Sequence, residues 1–475
     1  MKTGFLDIPR AEDPLRDARE RVLDFDDLHT RLPDNARSMQ AQRCMNCGVP
    51  FCQSDFGCPL HNLIPEWNSL LEKGLKREAL ERLLVTAPFP EFTGHVCPAL
   101  CEKACNLESH ATTNRDNELY LIEEGFRHGW VKPNMPASRT KRRVAVIGSG
   151  PAGLACADLL NQLGHKVTVM EASDRPGGLL MWGIPNMKLP KEVVARRIRL
   201  MEEEGITFQT SCRADRSVLP QYDAAILCGG ARKPRTLPLP HMDAGGIHFA
   251  VDYLSEATRA LLEKRPSRLS AKGLHVIVVG GGDTGNDCVG TALREKCRDI
   301  VQLEMLPKPP GTRTLSNPWP EWPRTLRTDY GQLEAEAIQG QDPRIFETTV
   351  SSIGTDEDGH VREVTCVRVA QKDGRLLPQD GAETVLPCDL LLIAAGFTGA
   401  DAENLSGFSL TPDERGRLMP PGGGHHLREN LFAAGDIRTG QSLVVRAISD
   451  GRDAAREVDA WLSSPKAAFP DGEPA

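Results

Sequence analysis

Twice in this sequence a run of β-branched residues leads into three closely spaced glycines and then into a helix-forming stretch. Few folds accept that arrangement once, let alone twice. The first instance ends a strand pattern at Ile147 and places glycines at Gly148, Gly150 and Gly153; the second follows Val279 with Gly280, Gly282 and Gly285. Each continues through an Ala/Leu-bearing helix pattern into a second strand, which closes on Glu171 in the first unit and on Glu304 in the second. The first glycine permits a tight turn, the second lets backbone approach a pyrophosphate, and the third lets helix and strand pack closely. The helix N-terminus adds free N–H groups and a partial positive charge, and the carboxylate at the end of the next strand can accept from a ribose hydroxyl. The expectation is an α/β protein with two Rossmann-like dinucleotide-binding units in succession. Asp283 and Thr284 lie inside the second turn and join its candidate contacts.

A nicotinamide dinucleotide is the natural occupant of the second unit. Glu304 favours NADH over NADPH by repelling a 2′-phosphate. Lys308 and Arg313 follow closely and could pair that phosphate, so the choice stays open.

The units imply boundaries along the 475 residues. Residues 1–140 carry helical patterns such as Leu60–Leu84 and no glycine turn. Residues 141–265 are expected to form the first part of one binding domain, 266–388 a second domain inserted in it, and 389–475 its remainder, ending in a helix near Ser463 and a polar tail. The segment Pro307–Pro323 holds too much proline for a helix or central strand and should be an ordered loop on the second unit, a mere linker being the other reading. With a formal net charge of −8 the chain is no general binder of nucleic acid. It contains no apolar run that would span a bilayer and starts without an apolar leader pattern, so a cytoplasmic location is expected.

Half of the 14 cysteines are crowded into one region. Cys44, Cys47, Cys52 and Cys58 are separated by two, four and five residues, and Cys97, Cys101 and Cys105 by three each. In a reducing compartment such a crowd binds metal or a cluster rather than forming disulfides. Seven thiolates exceed one four-ligand site and fall one short of two. Pro59 after Cys58 and Pro98 after Cys97 echo the Cys-Pro of ferredoxin-type sites, where that cysteine serves the other cluster. Structural zinc is the alternative. Function favours iron–sulfur, because a cluster beside a nicotinamide-binding unit can carry electrons singly, and zinc cannot receive them.

Two resemblances sharpen this reading. Gly177-Gly178 after the first acidic strand and Gly435-Asp436 after Leu431–Ala434 resemble the two-dinucleotide flavoproteins of the glutathione-reductase superfamily. That resemblance implies FAD in the first unit, with Asp436 meeting its ribityl chain. The segment after Gly178 has no cysteine pair, so disulfide chemistry at the flavin is disfavoured. Over nearly its whole length the chain also resembles the small (β) subunit of NAD(P)H-dependent bacterial glutamate synthase, whose electron-input module is shared with dihydropyrimidine dehydrogenase. The motifs carrying this likeness are CMNCGVPFCQSDFGCPLHNLIPEWN, GSGPAGLACADLLNQLGHKVTVMEA, WGIPNMKLPK, GGGDTGNDCVGT, LPKPPGTRTLSNPWPEWP and LFAAGDIRTGQSLVVRAISDGR.

This second resemblance implies a mainly helical N-terminal domain with two [4Fe–4S] clusters. One would be held by Cys44, Cys47, Cys52 and Cys105, the other by Cys58, Cys97, Cys101 and a non-cysteine ligand that falls on Glu118. An exposed helix-start glutamate is the other reading of Glu118. The segment Gly183–Asn186 and Arg446 would line the flavin cleft. No catalytic acid or base is implied, since hydride passes between cofactors. The chain has neither an N-terminal cysteine nucleophile after Met1 nor room for an FMN barrel. Glutamate formation from glutamine and 2-oxoglutarate would therefore fall to a large (α) subunit with amidotransferase and FMN domains. The alternative acceptor is a ferredoxin or a pyrimidine-reducing subunit.

Overall fold

The computed structural model describes residues 3–372 and 375–464; the expected tail at 465–475 lies outside the described residues. The N-terminal region is helical, with Asp34–Gln42, Ile64–Glu72, Lys76–Leu84, Pro90–Val96 and Asn114–Arg127 as its main elements. The helical pattern over Leu60–Leu84 is two helices rather than one, because Gly74 takes φ +75° and its N–H turns back to the Leu71 carbonyl. Trp67, Leu71, Leu80, Leu83 and Leu121 form a core that includes Cys52 and Cys58.

Each glycine turn crowns a mainly parallel sheet, the edge strand His426–Arg428 of the first being antiparallel to its neighbour. The first sheet has six strands in the order His426–Arg428, Leu431–Ala433, Ala224–Leu227, Arg143–Ile147, Lys166–Met170 and Thr207–Gln209. The second has five, in the order Ile247–Phe249, Leu390–Ile393, His275–Val279, Asp299–Glu304 and Arg344–Phe346. All-apolar strands such as Ala224–Leu227 and Leu390–Ile393 are buried along their length, as parallel strands covered on both faces must be. A three-stranded antiparallel sheet, Thr348–Thr355, Val361–Lys372 and Arg375–Pro387, is attached to the second unit.

Strand pairing draws the second unit wider than 266–388. Ile247–Phe249 and Leu390–Ile393 pair with each other and, through Leu390–Ile393, with His275–Val279. The bounds read from sequence, 141–265 and 389–475, enclose both segments in the first unit, because hydrogen-bond partners so distant in the chain leave no local signal.

The long helix Val444–Leu462 returns to pack on Pro151–Gln162. The approach is so close that a Cβ on Gly451 would stand 2.2 Å from the Ala152 carbonyl oxygen. Among the described residues no helix is long and apolar enough to cross a membrane.

An N-terminal arm seals the seam between the units. The Leu28 N–H donates to the Met187 carbonyl (3.2 Å), and Asn186 donates to the Phe25 carbonyl (2.8 Å). Arg21 donates to Glu334 at 2.6 Å, and Arg294 grips the same carboxylate with two bonds of 2.6 and 3.0 Å. Alongside, Lys188 of the first unit reaches Asp287 of the second at 2.9 Å, and the Tyr330 hydroxyl donates to the same oxygen at 2.9 Å. Removing one partner of a fully buried ion group strands the others without water. Glu334→Ala, which leaves Arg21 and Arg294 buried and unpaired, should therefore destabilise the seam by about 3 kcal/mol. The measurement is the urea midpoint of the second unit's unfolding.

Candidate functional site

The first glycine turn is shaped as an open cradle. Gly148 has φ +104°, and a Cβ there would lie 2.5 Å from the Cys228 carbonyl oxygen; on Gly153 it would lie 2.0 Å from the Gly148 oxygen. At Gly150 a Cβ would meet nothing within 4 Å, so the backbone faces free space where a pyrophosphate could lie against the helix that starts at Pro151. Gly178, at φ +55°, closes the cradle's back, since a Cβ would stand 2.8 Å from the Gly150 Cα. Glu171 is buried and ties the turn together. One oxygen accepts from the Ser149 N–H (3.1 Å) and hydroxyl (2.5 Å), the other from the Ser173 N–H (2.8 Å). Ser149 in turn accepts from the Gly177 N–H at 2.9 Å.

The distant Gly-Asp motif arrives at the same place. A Cβ on Gly435 (φ +77°) would come within 2.6 Å of the Ala152 side chain. Asp436 starts a short helix and accepts from the Ser442 hydroxyl at 2.6 Å, and burial raises its pKa. The turn is held from behind by Asp450, which accepts from the Gly435 N–H at 2.6 Å and pairs with Arg438 and His425. Of the segment the resemblance placed at the cleft, Asn186 is spent on the Phe25 carbonyl and the Lys191 N–H, and Arg446 is exposed.

The second turn repeats the geometry with less cover. Gly280 has φ +127°, and its Cβ would lie 2.3 Å from the Ala394 oxygen; on Gly285 it would lie 2.1 Å from the Gly280 oxygen. Gly282, Asp283 and Thr284 are exposed at the head of the helix Asp283–Arg294. The Glu304 carboxylate sits over the turn and accepts from the Leu306 N–H at 2.8 Å. Arg313 points elsewhere, donating to the Glu321 and Lys103 carbonyls, and Lys308 lies over the Phe346 ring.

The thiols form two groups. Cys44, Cys47, Cys52 and Cys105 line one pocket, with Phe51, Ile64 and Pro65 among its apolar walls. Gly57 permits the tight loop behind it, where a Cβ would fall 2.4 Å from the Cys52 oxygen. Burial raises the Cys52 thiol, with the thiols of Cys105, Cys44 and Cys47 around it. Cys101, also raised by burial, has Glu102, Cys58, Cys97 and Glu118 as neighbours. Burial pushes Cys58 to about 11 and Cys97 to about 12, and both feel Glu118. Glu118 itself is buried in the helix Asn114–Arg127, so the exposed reading does not hold. It accepts from the Thr93 hydroxyl and, at 3.5 Å, from Asn62, and burial lifts it to about 8.

Among the described residues no three His, Cys, Asp or Glu side chains close on a point where one ion could sit. Thiols crowded in low dielectric without a cation are driven to the neutral form, and irons would relieve that cost. The donor set therefore fits clusters held by thiolates.

Sequence reasoning missed several supports. Ser149 sits inside the first motif but carries no mark of its bond to Glu171. Lys191, buried and lowered to about 7 by that burial, donates to the Leu180 carbonyl at 2.8 Å and braces the turn after Gly178. Asp450 and His425 are brought to Gly435 only by the fold.

Two glycine-turn units joined across an ion-paired seam, with a thiol-rich helical domain beside them, define a pyridine-nucleotide-linked flavoprotein oxidoreductase with an iron–sulfur domain. A family model described as pyridine nucleotide-disulphide oxidoreductase matches residues 142–451, and one described as dihydropyrimidine dehydrogenase domain II, 4Fe-4S cluster, matches 21–124. The structure of FprA from Mycobacterium tuberculosis in complex with NADPH is similar at TM-score 0.53 and 18% identity, covering 70% of this chain and 88% of that one. Its likeness bears on the fold. The chain is 44% identical to the glutamate synthase [NADPH] small chain of Bacillus subtilis, over 97% of its own length and 98% of the relative's. It is 45% identical to glutamate synthase [NADH] of Schizosaccharomyces pombe over 96% of its length but spans only 22% of that relative. The chain belongs to the glutamate synthase small-chain family.

The support behind Gly435 depends on pH. Burial alone would lower His425, but its bonds to Asp450 and Glu457 prevail and raise it above 6.5. A raised histidine contributes fully below its unfolded pKa of about 6.5, and the contribution disappears as pH rises through the folded value. His425→Gln should lose bound flavin more readily than wild type at about pH 6, the two converging at alkaline pH where the imidazole is neutral in both states. Flavin fluorescence released on dilution reads the difference.

Proposed function

We propose that this chain is the electron-input subunit of a glutamate synthase. It oxidises NAD(P)H at FAD and passes electrons through two [4Fe–4S] clusters to a large subunit carrying amidotransferase and FMN domains, which forms L-glutamate from L-glutamine and 2-oxoglutarate. The observation carrying this reading is the division of seven thiols and a buried carboxylate into two groups beside a double dinucleotide fold. When bound, FAD accepts a two-electron hydride and releases electrons singly, and the clusters carry them one at a time.

The chain's own residues bind and orient. Gly148, Gly150, Gly153, Gly178, Glu171, Gly435 and Asp436 would hold FAD. Gly280, Gly282, Asp283, Thr284, Gly285 and Glu304 would hold the nicotinamide dinucleotide. Cys44, Cys47, Cys52 and Cys105 would hold one cluster, and Cys58, Cys97, Cys101 and Glu118 the other. The Lys188–Asp287 and Arg21–Glu334–Arg294 contacts fix the angle between the units, so that proximity and orientation, rather than a side-chain acid or base, set the rate of hydride transfer. A crowd of thiols kept for ligation rather than for disulfides suits a reducing cytoplasm.

The iron–sulfur domain match supports a second reading, the same module serving a pyrimidine-reducing or ferredoxin acceptor. Copurification with a large amidotransferase–FMN subunit separates the two.

The primary test is iron and sulfide content together with absorption spectra before and after NADH. Two clusters require about eight irons per chain. Glu118→Ala should drop this to about half while flavin is retained; zinc in place of iron, or full iron content in the variant, would overturn the assignment. Glu304, standing over the turn with Arg313 turned away, supports NADH as donor. Glu304→Ala should reduce the NADH-to-NADPH ratio of kcat/KM by about tenfold, read in steady-state reduction of an artificial acceptor.

A further inference from the structure

The proline-rich segment that follows Glu304 continues from a strand of the second unit, yet its side chains reach the thiol domain. Trp319 donates its indole N–H to the Cys105 carbonyl at 3.1 Å, and its ring centre stands 4.8 Å from that of Phe51, the neighbour of Cys52. Arg313 donates to the Lys103 carbonyl at 3.3 Å, and Trp322, like Cys97 and Cys101, packs against the core that holds Cys52 and Cys58.

The segment is a formed loop rather than a linker. Buried Asn317 donates to Glu321 (3.2 Å) and to the Trp322 carbonyl (3.0 Å) and accepts from the Arg324 N–H (2.7 Å), while the Leu326 N–H closes on the Pro310 carbonyl (2.8 Å). A linker would not repay the entropy of that ordering. The contact falls on a weak point of the site. Cys44, Cys47 and Cys52 come from one short stretch, but Cys105 arrives from far along the chain and is only partly buried.

We infer that Trp319 is a positioning residue for the redox group held by Cys44, Cys47, Cys52 and Cys105. Its N–H fixes the Cys105 backbone, and its ring, with that of Phe51, forms an outer wall against water. Hydrogen bonding and solvent access around the ligands are the protein's controls on such a group's potential and lifetime. The wall belongs to the nicotinamide unit and begins beside Glu304, whose carboxylate accepts from the Leu306 N–H. Assembly of that group therefore depends on the second unit being docked. The inference rests on the thiol assignment proposed above.

The test compares the full chain, purified without oxygen, as wild type, Trp319→Phe and Trp319→Ala. Readouts are iron and sulfide content, the electron paramagnetic resonance spectrum of the reduced protein, and the rate of cluster bleaching in air. Phenylalanine keeps a ring but loses the N–H and should bleach roughly threefold faster, with one of two cluster signals altered. Alanine loses both and should bleach roughly tenfold faster, and bound flavin stays constant in each variant. Wild-type bleaching and unchanged spectra in both variants would overturn the role of Trp319. So would equal change in both cluster signals with loss of flavin, which signals general unfolding. A wild-type chain without iron and sulfide would instead sink the thiol assignment, and the Trp319 role with it.

Discussion

Two buried carboxylates on the second unit, Asp287 and Glu334, govern how the whole molecule is arranged. Neither could be buried alone, because an unpaired charge in a low-dielectric interior is too costly. Each is answered from another part of the chain: Asp287 by Lys188 of the first unit, and Glu334 by Arg21 of the N-terminal arm together with Arg294. The partners are compatible with one relative placement of arm and units. Hydride transfer falls steeply when donor and acceptor are misplaced by even about 1 Å, so a seam fixed by directional ion pairs serves the chemistry better than a greasy one that could slide. Such pairs contribute specificity of docking more than net stability.

The parts of the fold legible in the sequence were those with local signatures. Both glycine turns were visible because strand, turn and helix lie consecutively and each glycine has its own steric reason, which the left-handed φ of Gly148 and Gly280 illustrates. The helix ending at Ser463 and the absence of regular structure in the Pro307–Pro323 loop were legible for the same reason. What was hidden depends on pairing across long separations. Leu390–Ile393 is as apolar as any core strand, and nothing in those four residues says which sheet will take it. The arm Asp13–Thr30 reads as a polar, charged stretch, and only the fold reveals that Arg21 is buried.

Glu118 illustrates the same limit in the candidate site. Near the start of a helix a glutamate is well placed facing solvent, where it complements the helix dipole, and the sequence leaves that reading as open as the ligand one. Here Thr93 and Asn62 meet it inside the domain, beside the cysteines that precede Pro59 and Pro98. A carboxylate pushed up by burial among thiols is a poor structural choice unless positive charge joins it, which is what cluster irons would bring. The seven-cysteine count falls one short of two complete sites, and it took the family resemblance to point that vacancy at Glu118.

The two dinucleotide turns share a geometry yet differ in how much is covered. In the first, Ser149 and Glu171 are buried, three hydrogen bonds tie the carboxylate to the surrounding backbone and hydroxyl, and Gly435 closes in from the far end of the chain. In the second, Gly282, Asp283 and Thr284 face solvent, and Glu304 accepts from the Leu306 N–H just beyond its own strand. A site walled by several distant segments releases its occupant only when those segments open together, whereas an exposed turn exchanges freely. The asymmetry therefore suits a resident cofactor in the first unit and a consumed, exchanging one in the second. It arises not from the glycines, which are nearly the same in both, but from what the remainder of the chain places over them.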